Sequence, residues 1–223
     1  MLLMNEARPS GNTRGMVEAN PTVLIIDDDS DFRDSVGRLL RSVGLATQQF
    51  SSVSDFLKAS LPDGPVCLVL DIRMPGRSGL ELQRDLAAAN KQLPIIFLTA
   101  HGDIPMTVQA MKGGAMEFLT KPFRDQDLLD AVEAGLAHDR ARRESEEALT
   151  ALRQRYESLS SREREIMIQV TAGRLNKQIA GEIGIAESTV KVHRTNLMRK
   201  MQARSLPELS RMADALKLGA KRI

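Results

Sequence analysis

The sequence predicts a parallel α/β domain followed by an all-helical one. Three observations predict it: short unbroken apolar runs between helix-spaced segments, run ends that carry carboxylates, a hydroxyl and a lysine, and a switch from acidic to basic charge along the chain. Residues 22–138 hold 11 Lys/Arg against 16 Asp/Glu, residues 139–157 hold 5 against 5, and residues 158–223 hold 13 against 6. An acidic part joined to a basic one predicts separate tasks, the second on nucleic acid. At 223 residues the chain has room for two modest cores. Its one cysteine, Cys67, excludes an internal disulfide and sits in an apolar run, where a buried structural thiol is expected rather than a nucleophile. No apolar stretch approaches the roughly 20 residues of a membrane span, so a reducing cytoplasm is the expected home. Residues 1–21 read as a disordered N-terminal arm, too poor in apolar residues for a signal peptide.

The runs "VLII" (23–26), "VCLVL" (66–70) and "PIIFLT" (94–99) have the continuous apolar character of strands buried on both faces. "LATQQF" (45–50) is a weaker, edge-like strand, and "EFLTK" (117–121) a fifth. Phe32, Val36, Leu39, Leu40 and Val43 recur at helical spacing and stop at Gly44. Val53, Phe56 and Leu57 mark a short helix, and further helices fit Leu80–Asn90, Pro105–Lys112 and Asp125–His138. In such a sheet the chemistry gathers at the carboxyl ends of the strands, here Asp27–Asp29, Asp71, Thr99 and Lys121.

Residues 139–158 read as a charged helical linker. Leu149, Leu152, Tyr156 and Leu159 form a stripe about two heptads long, which serves either a solvated helix or a short dimer-forming coil. From residue 159 the pattern is helical. Ser160 and Glu163 fit a capping box, Asn176 and Ser188 are the expected caps of the next two helices, and a last helix spans Ser205–Leu216. Two short helices about a Gly-containing turn, the second basic, make a helix-turn-helix pattern. Gly181 lies inside the first of them, where close helix packing would account for it.

Four carboxylates crowd into Asp27, Asp28, Asp29 and Asp31. An EF-hand loop fails, because Phe32 stands where Gly is needed and Arg38 where Glu is needed. A haloacid-dehalogenase-type phosphatase would use Asp27 as nucleophile and Asp29 as acid, but leaves Asp71 idle. The remaining reading gathers the strand ends around Mg²⁺, a hard cation that takes oxygen ligands and offsets carboxylate repulsion. Asp71 is then a carboxylate nucleophile toward phosphorus, with Lys121 and Thr99 on the phosphoryl oxygens.

"VLIIDDDSDFR", "LVLDIRMPGRSGLEL", "PIIFLTAHGD" and "GAMEFLTKPF", in that order, resemble the motifs of response-regulator receiver domains over residues 22–138. The resemblance implies the flavodoxin-like sheet order 2-1-3-4-5. It makes Asp71 the phosphoacceptor. Asp27, Asp28, Asp71 and the Arg73 main-chain carbonyl become ligands of Mg²⁺, with Mn²⁺ able to stand in. Thr99, Lys121 and Phe118 match the switch residues, and Arg73 and His101 flank the phosphoryl group and tune its lifetime. Lys121–Pro122 is expected to be cis. Asp29 and Asp31 fall outside the matched pair, Asp31 as a solvated first-turn acid.

"LSSREREIMIQVTAGRLNKQIAGEIGIAESTVKVHRTNLMRKM" resembles the LuxR-type helix-turn-helix, and the whole chain a FixJ-like member of the NarL/FixJ class. On a helical wheel Val190, Leu197 and Met201 share one face, with Met198 at its edge, while Lys191, Val192, Thr195, Asn196 and Arg199 point away. By family position Lys191, Val192 and Thr195 are the expected base readers, and Lys177, Arg194, Arg199 and Lys200 the phosphate contacts. His193, beside the core face, is expected to be structural. The implied partners are a cognate sensor histidine kinase, double-stranded promoter DNA, RNA polymerase and a second copy of the chain on phosphorylation. The implied function is that of a transcription regulator, an activator by expectation, and no ATPase segment lies between its parts.

Overall fold

The computed structural model describes residues 20–100 and 104–218. His101 and nearly all of the expected N-terminal arm lie outside the described residues. The chain divides after Arg140 into two compact units. The first is built on five parallel strands: β1 (Thr22–Ile26), β2 (Ala46–Phe50), β3 (Val66–Asp71), β4 (Ile95–Thr99) and β5 (Glu117–Thr120). They lie in the order β2-β1-β3-β4-β5, as expected. Helices α1 (Ser30–Ser42), α2 (Val53–Lys58), α3 (Gly79–Ala88), α4 (Ile104–Lys112) and α5 (Asp125–Glu157) make the connections, α5 continuing into the second unit.

The period-two geometry of a strand sorts each run onto two faces. Leu24, Ile26, Leu68, Leu70 and Phe97 pack against α2, α3 and α4 through Val53, Phe56, Leu80, Leu82, Leu86 and Ala110. Their neighbours Val23, Ile25, Cys67, Val69, Ile96 and Leu98 pack against α1 and α5 through Val36, Leu40, Leu128, Val132 and Leu136. Both faces are covered, hence the unbroken runs. Cys67 is fully buried, and burial together with the nearby Asp139 carboxylate pushes its thiol up to about 12, consistent with a structural thiol. Two glycines permit close approach. A Cβ at Gly79 would collide with the Asp71 carbonyl oxygen, so glycine is what lets α3 start against the end of β3. A Cβ at Gly135 would meet Cys67 Sγ at 2.6 Å.

The segment expected as a separate linker continues α5 as one helix of 33 residues. Asp139, which opens that segment in the sequence, is wholly buried and accepts from the Val66 N–H at 2.9 Å, anchoring α5 to the start of β3.

The second unit holds α6 (Ser161–Thr171), α7 (Asn176–Ile183), α8 (Glu187–Met201) and α9 (Leu206–Ala215). Ile166, Met167, Val170, Ile179, Val190, Leu197, Met201 and Leu209 form its core. Leu152 and Tyr156 pack against this core and Leu159 is buried within it, so most of the stripe that matched a coiled-coil seam is occupied inside the unit. The capping box forms: Ser160 N–H donates to Glu163 Oε2 at 2.8 Å and Glu163 N–H to Ser160 Oγ at 3.3 Å. The next two expected caps are displaced. Ile179 N–H donates to the Leu175 carbonyl, which makes Leu175 the cap and puts Asn176 inside the first turn. Val190 N–H donates to the Ala186 carbonyl, so α8 starts two residues before Thr189 and Ser188 caps nothing. At Gly181 a Cβ would meet no atom within 4 Å, so close packing is not its reason and the structure supplies no other.

Candidate functional site

Parallel pairing brings the carboxyl ends of the strands to one edge of the sheet. Asp27 follows β1, its N–H donating to the Phe50 carbonyl at 3.2 Å, and Asp71 closes β3. Thr99 closes β4, and Lys121 follows β5, its N–H donating to the Thr99 carbonyl at 2.8 Å. The Lys121–Pro122 bond is cis. Lys121 Nζ sits 2.7 Å from Asp27 Oδ2 and 3.3 Å from Asp71 Oδ2. Carboxylate oxygens of Asp27, Asp28 and Asp71 all lie within 4.8 Å of one another. Thr99 is buried beside this cluster's sheet edge, 1 % exposed.

Among the described residues, one lysine stands against three carboxylates, leaving negative charge that a divalent cation would offset. Burial pushes the Asp27 carboxyl above its ordinary range, and the hydrogen bond and charge of Lys121 only partly pull it back. The donor set is all oxygen, and Asp28 is exposed, which suits an ion that keeps several of its waters. These residues fit Mg²⁺. Arg73 donates its N–H to Asp71 Oδ1 at 3.2 Å, holding the carboxylate's other oxygen, and its guanidinium reaches Met106 Sδ at 3.9 Å. Phe118 is half-buried with its ring centroid 6.5 Å from that of Phe97.

Three contributors escaped the sequence reading. Asp29 is the N-cap of α1, its Oδ1 accepting from the N–H groups of Asp31 and Phe32 at 3.0 and 3.1 Å. The preference of Asp for that position was the available signal. Arg33 donates to the Asp27 carbonyl at 2.6 Å. The ring of Phe32 lies under the Lys121 ammonium, 3.7 Å from Nζ to the centroid. Asp31 is an exposed first-turn acid, as expected.

The second group of expected residues lies on α7 and α8. Val190, Leu197 and Met201 are buried, while Lys191, Val192, Thr195 and Arg199 are exposed on α8 and Lys177 on α7. Val192 is 60 % exposed. Asn196 is half-buried, and Thr195 Oγ1 donates to the Lys191 carbonyl at 3.0 Å. Arg194 donates to Asn176 Oδ1 at 3.0 Å, tying the two helices together. His193 is half-buried. Lys200, an expected phosphate contact, is half-buried and paired within the unit. Its Nζ lies 2.7 Å from Glu163 Oε2, a nearly buried carboxylate, and also donates to the Ser158 carbonyl at 3.3 Å. The sequence offered no sign that a charge on the outer side of α8 was answered from the N-terminus of α6.

A receiver-type pocket on a 2-1-3-4-5 sheet and a helix-turn-helix with a polar outer face define a two-component transcription regulator. Residues 23–133 match the response regulator receiver domain, and residues 157–213 match the bacterial regulatory proteins of the luxR family. The chain belongs to the response regulators of the NarL/FixJ class, and is a DNA-binding transcription regulator. It is 50 % identical to nodulation protein W of Bradyrhizobium diazoefficiens over 94 % of this chain and 92 % of that one. It is 46 % identical to the transcriptional regulatory protein FixJ of Azorhizobium caulinodans over 89 % and 93 % of the two chains. Among solved structures, the response regulator StyR superposes with a TM-score of 0.81 at 51 % identity, covering 88 % of this chain and 99 % of that one. No described helix is long and apolar enough to cross a membrane.

Proposed function

We propose that this regulator is switched by phosphorylation of Asp71 and that the phosphorylated form dimerises and binds promoter DNA. The observation that carries this reading is the convergence of the Asp71 carboxylate, the Lys121 ammonium and the carboxylates of Asp27 and Asp28 at one strand edge. Asp27, Asp28, Asp71 and the Arg73 carbonyl would hold Mg²⁺, or Mn²⁺ in its place, which supplies positive charge to the phosphoryl oxygens. An Asp71 oxygen attacks phosphorus. A new O–P bond forms as the bond from phosphorus to the donor breaks, and the donor atom keeps the electron pair. With a sensor histidine kinase that atom is a ring nitrogen of the donor histidine. Lys121 follows the charge from the carboxylate to the phosphoryl group, and Thr99 donates its hydroxyl there. Phe118, on the strand beside Thr99, then reports the state of the pocket to the surface that dimerises. Arg73 and His101 set how long the acyl phosphate lasts.

The receiver (22–138) and the DNA-binding domain (159–223) act as two parts joined by residues 139–158, with α9 as the second dimer contact. Lys191, Val192, Thr195 and Asn196 face the major groove, where a mixture of charge, amide and methyl groups distinguishes base edges. Lys177, Arg194 and Arg199 meet phosphates, with Lys200 adding field from its place beside Glu163. RNA polymerase is the expected partner of the DNA-bound dimer, in the cytoplasm, with activation as the outcome.

The test is to incubate the full chain with acetyl phosphate and Mg²⁺ and to map the acid-stable, base-labile phosphate. Label at Asp71, lost in Asp71→Asn, supports the reading. Label that survives Asp71→Asn and disappears in Asp27→Asn overturns it.

A further inference from the structure

The Lys121 ammonium has three N–H bonds to place. Two go to Asp27 and Asp71, at 2.7 and 3.3 Å, and the face of the Phe32 ring lies 3.7 Å away. An ammonium at that distance is attracted by the negative face of an aromatic ring, more strongly where water is kept out. Lys121 is such a case, its side chain only 16 % exposed. Phe32 is itself held in place. Asp29 caps its N–H at the start of α1, and its ring meets that of Phe123 at 6.1 Å with planes at 89°. Phe123 is two residues after Lys121, so the segment that carries the lysine also supports the ring beneath it.

We infer that Phe32 is a positioning residue for phosphoryl transfer, holding Lys121 over the pocket while its anionic partners change; this rests on the phosphoacceptor reading of Asp71. With Asp71 unmodified, two carboxylates hold the ammonium. Once Asp71 carries a phosphoryl group its own carboxylate charge is gone. Asp27 is then shared with the divalent cation, which also repels the ammonium. Of the three partners only the ring keeps the same attraction in both states. It therefore lets Nζ stay where the phosphoryl oxygens arrive instead of turning out to solvent. An aliphatic residue at 32 would fill the same space between α1 and Phe123 and offer no such attraction.

The test compares the full chain with Phe32→Leu, Phe32→Trp and a series in which Phe32 is replaced by phenylalanines bearing increasing numbers of ring fluorines. Fluorination empties the ring face of negative potential while barely changing its size. Two readouts are taken with Mg²⁺ present: the rate of Asp71 labelling by acetyl phosphate, and the affinity for beryllium trifluoride by fluorine NMR, which needs no turnover. Thermal unfolding confirms that each variant is folded. The expected result is a labelling rate about three- to tenfold lower in Phe32→Leu, with a matching loss of beryllium trifluoride affinity. Phe32→Trp should retain both, and both should fall stepwise with fluorine count. A Phe32→Leu variant that equals wild type overturns the inference, and so does a loss in Leu with no trend across the fluorinated series, since packing alone would then be responsible. Absence of label from wild-type Asp71 overturns the phosphoacceptor reading itself, and this inference with it.

Discussion

Two lysines in this protein are held at the same distance from a buried carboxylate, and the two pairs do opposite things. Lys121 lies 2.7 Å from Asp27 in the receiver pocket, and Lys200 lies 2.7 Å from Glu163 in the DNA-binding unit. Around Glu163 the charge is fully answered. Burial works against its ionisation, but Lys200 and the backbone and side-chain groups of Ser160 outweigh it, and the carboxyl lies below its ordinary range. Around Asp27 burial wins, and the carboxyl lies above its ordinary range. A satisfied pair fixes the position of a helix. An unsatisfied one leaves charge that the proposed cation and phosphoryl group would answer. The geometry of a single ion pair does not distinguish the two; burial set against the hydrogen bonds each carboxylate accepts does.

The largest expected effect comes from breaking the pair in the pocket. Lys121→Met should lower the rate of Asp71 labelling by about 10²–10³-fold, the scale for removing one donor to developing charge. In Lys200→Met labelling should be unchanged, while the DNA-binding unit loses about 3 kcal/mol because Glu163 is left charged in a buried site. Calorimetry of the full chain reads this directly, and Lys200→Met with Glu163→Leu should recover much of the loss. If Lys200 positions α8 more than it touches phosphate, its removal weakens DNA binding while leaving the slope of log affinity against log salt nearly unchanged. A slope smaller by about one would return it to the phosphate contacts.

The two carboxyls also give opposite pH behaviour. Glu163 titrates below its unfolded value, near 4.5, so its contribution is present above that pH and is lost as the pH falls through its lower folded value. Asp27 titrates above its unfolded value, near 3.8, so its contribution is present at low pH and is lost as the pH rises through its folded value. Acid unfolding below about pH 4.5 should therefore weaken the DNA-binding unit first, and Glu163→Gln should flatten that dependence. A third buried carboxylate extends the comparison. Asp139→Ala leaves the Val66 N–H without its acceptor and should destabilise the receiver by about 1–3 kcal/mol in denaturant titrations. The smallest effect is a gain. Gly181→Ala, on an exposed helix surface with open space for a methyl group, should stabilise by about 1 kcal/mol.

The sheet was legible because strands buried on both faces leave unbroken apolar runs, and the pocket because parallel strands deliver their ends to one edge. The role of Asp29 is not legible from its charge, because the residue acts by accepting hydrogen bonds from two backbone N–H groups. Residue preference points to Asn176 and Ser188 as caps, but backbone pairing starts both helices elsewhere and Asn176 is used by Arg194. The stripe through Leu152 and Tyr156 has the same spacing whether it meets a second chain or its own core. Asp139 resembled its charged neighbours, and only the fold brings β3 to it. Lys200 is the plainest case. Its partner is 37 residues away in sequence, and nothing local to α8 announces it.

The proposed switch couples the state of Asp71 to assembly and DNA binding. Sedimentation of the full chain with a promoter fragment, before and after treatment with beryllium trifluoride and Mg²⁺, tests it directly. A shift from monomer to dimer and tighter DNA binding are expected together, both abolished in Asp71→Asn. Unchanged mass and unchanged affinity in a chain that has bound the phosphoryl mimic would contradict it.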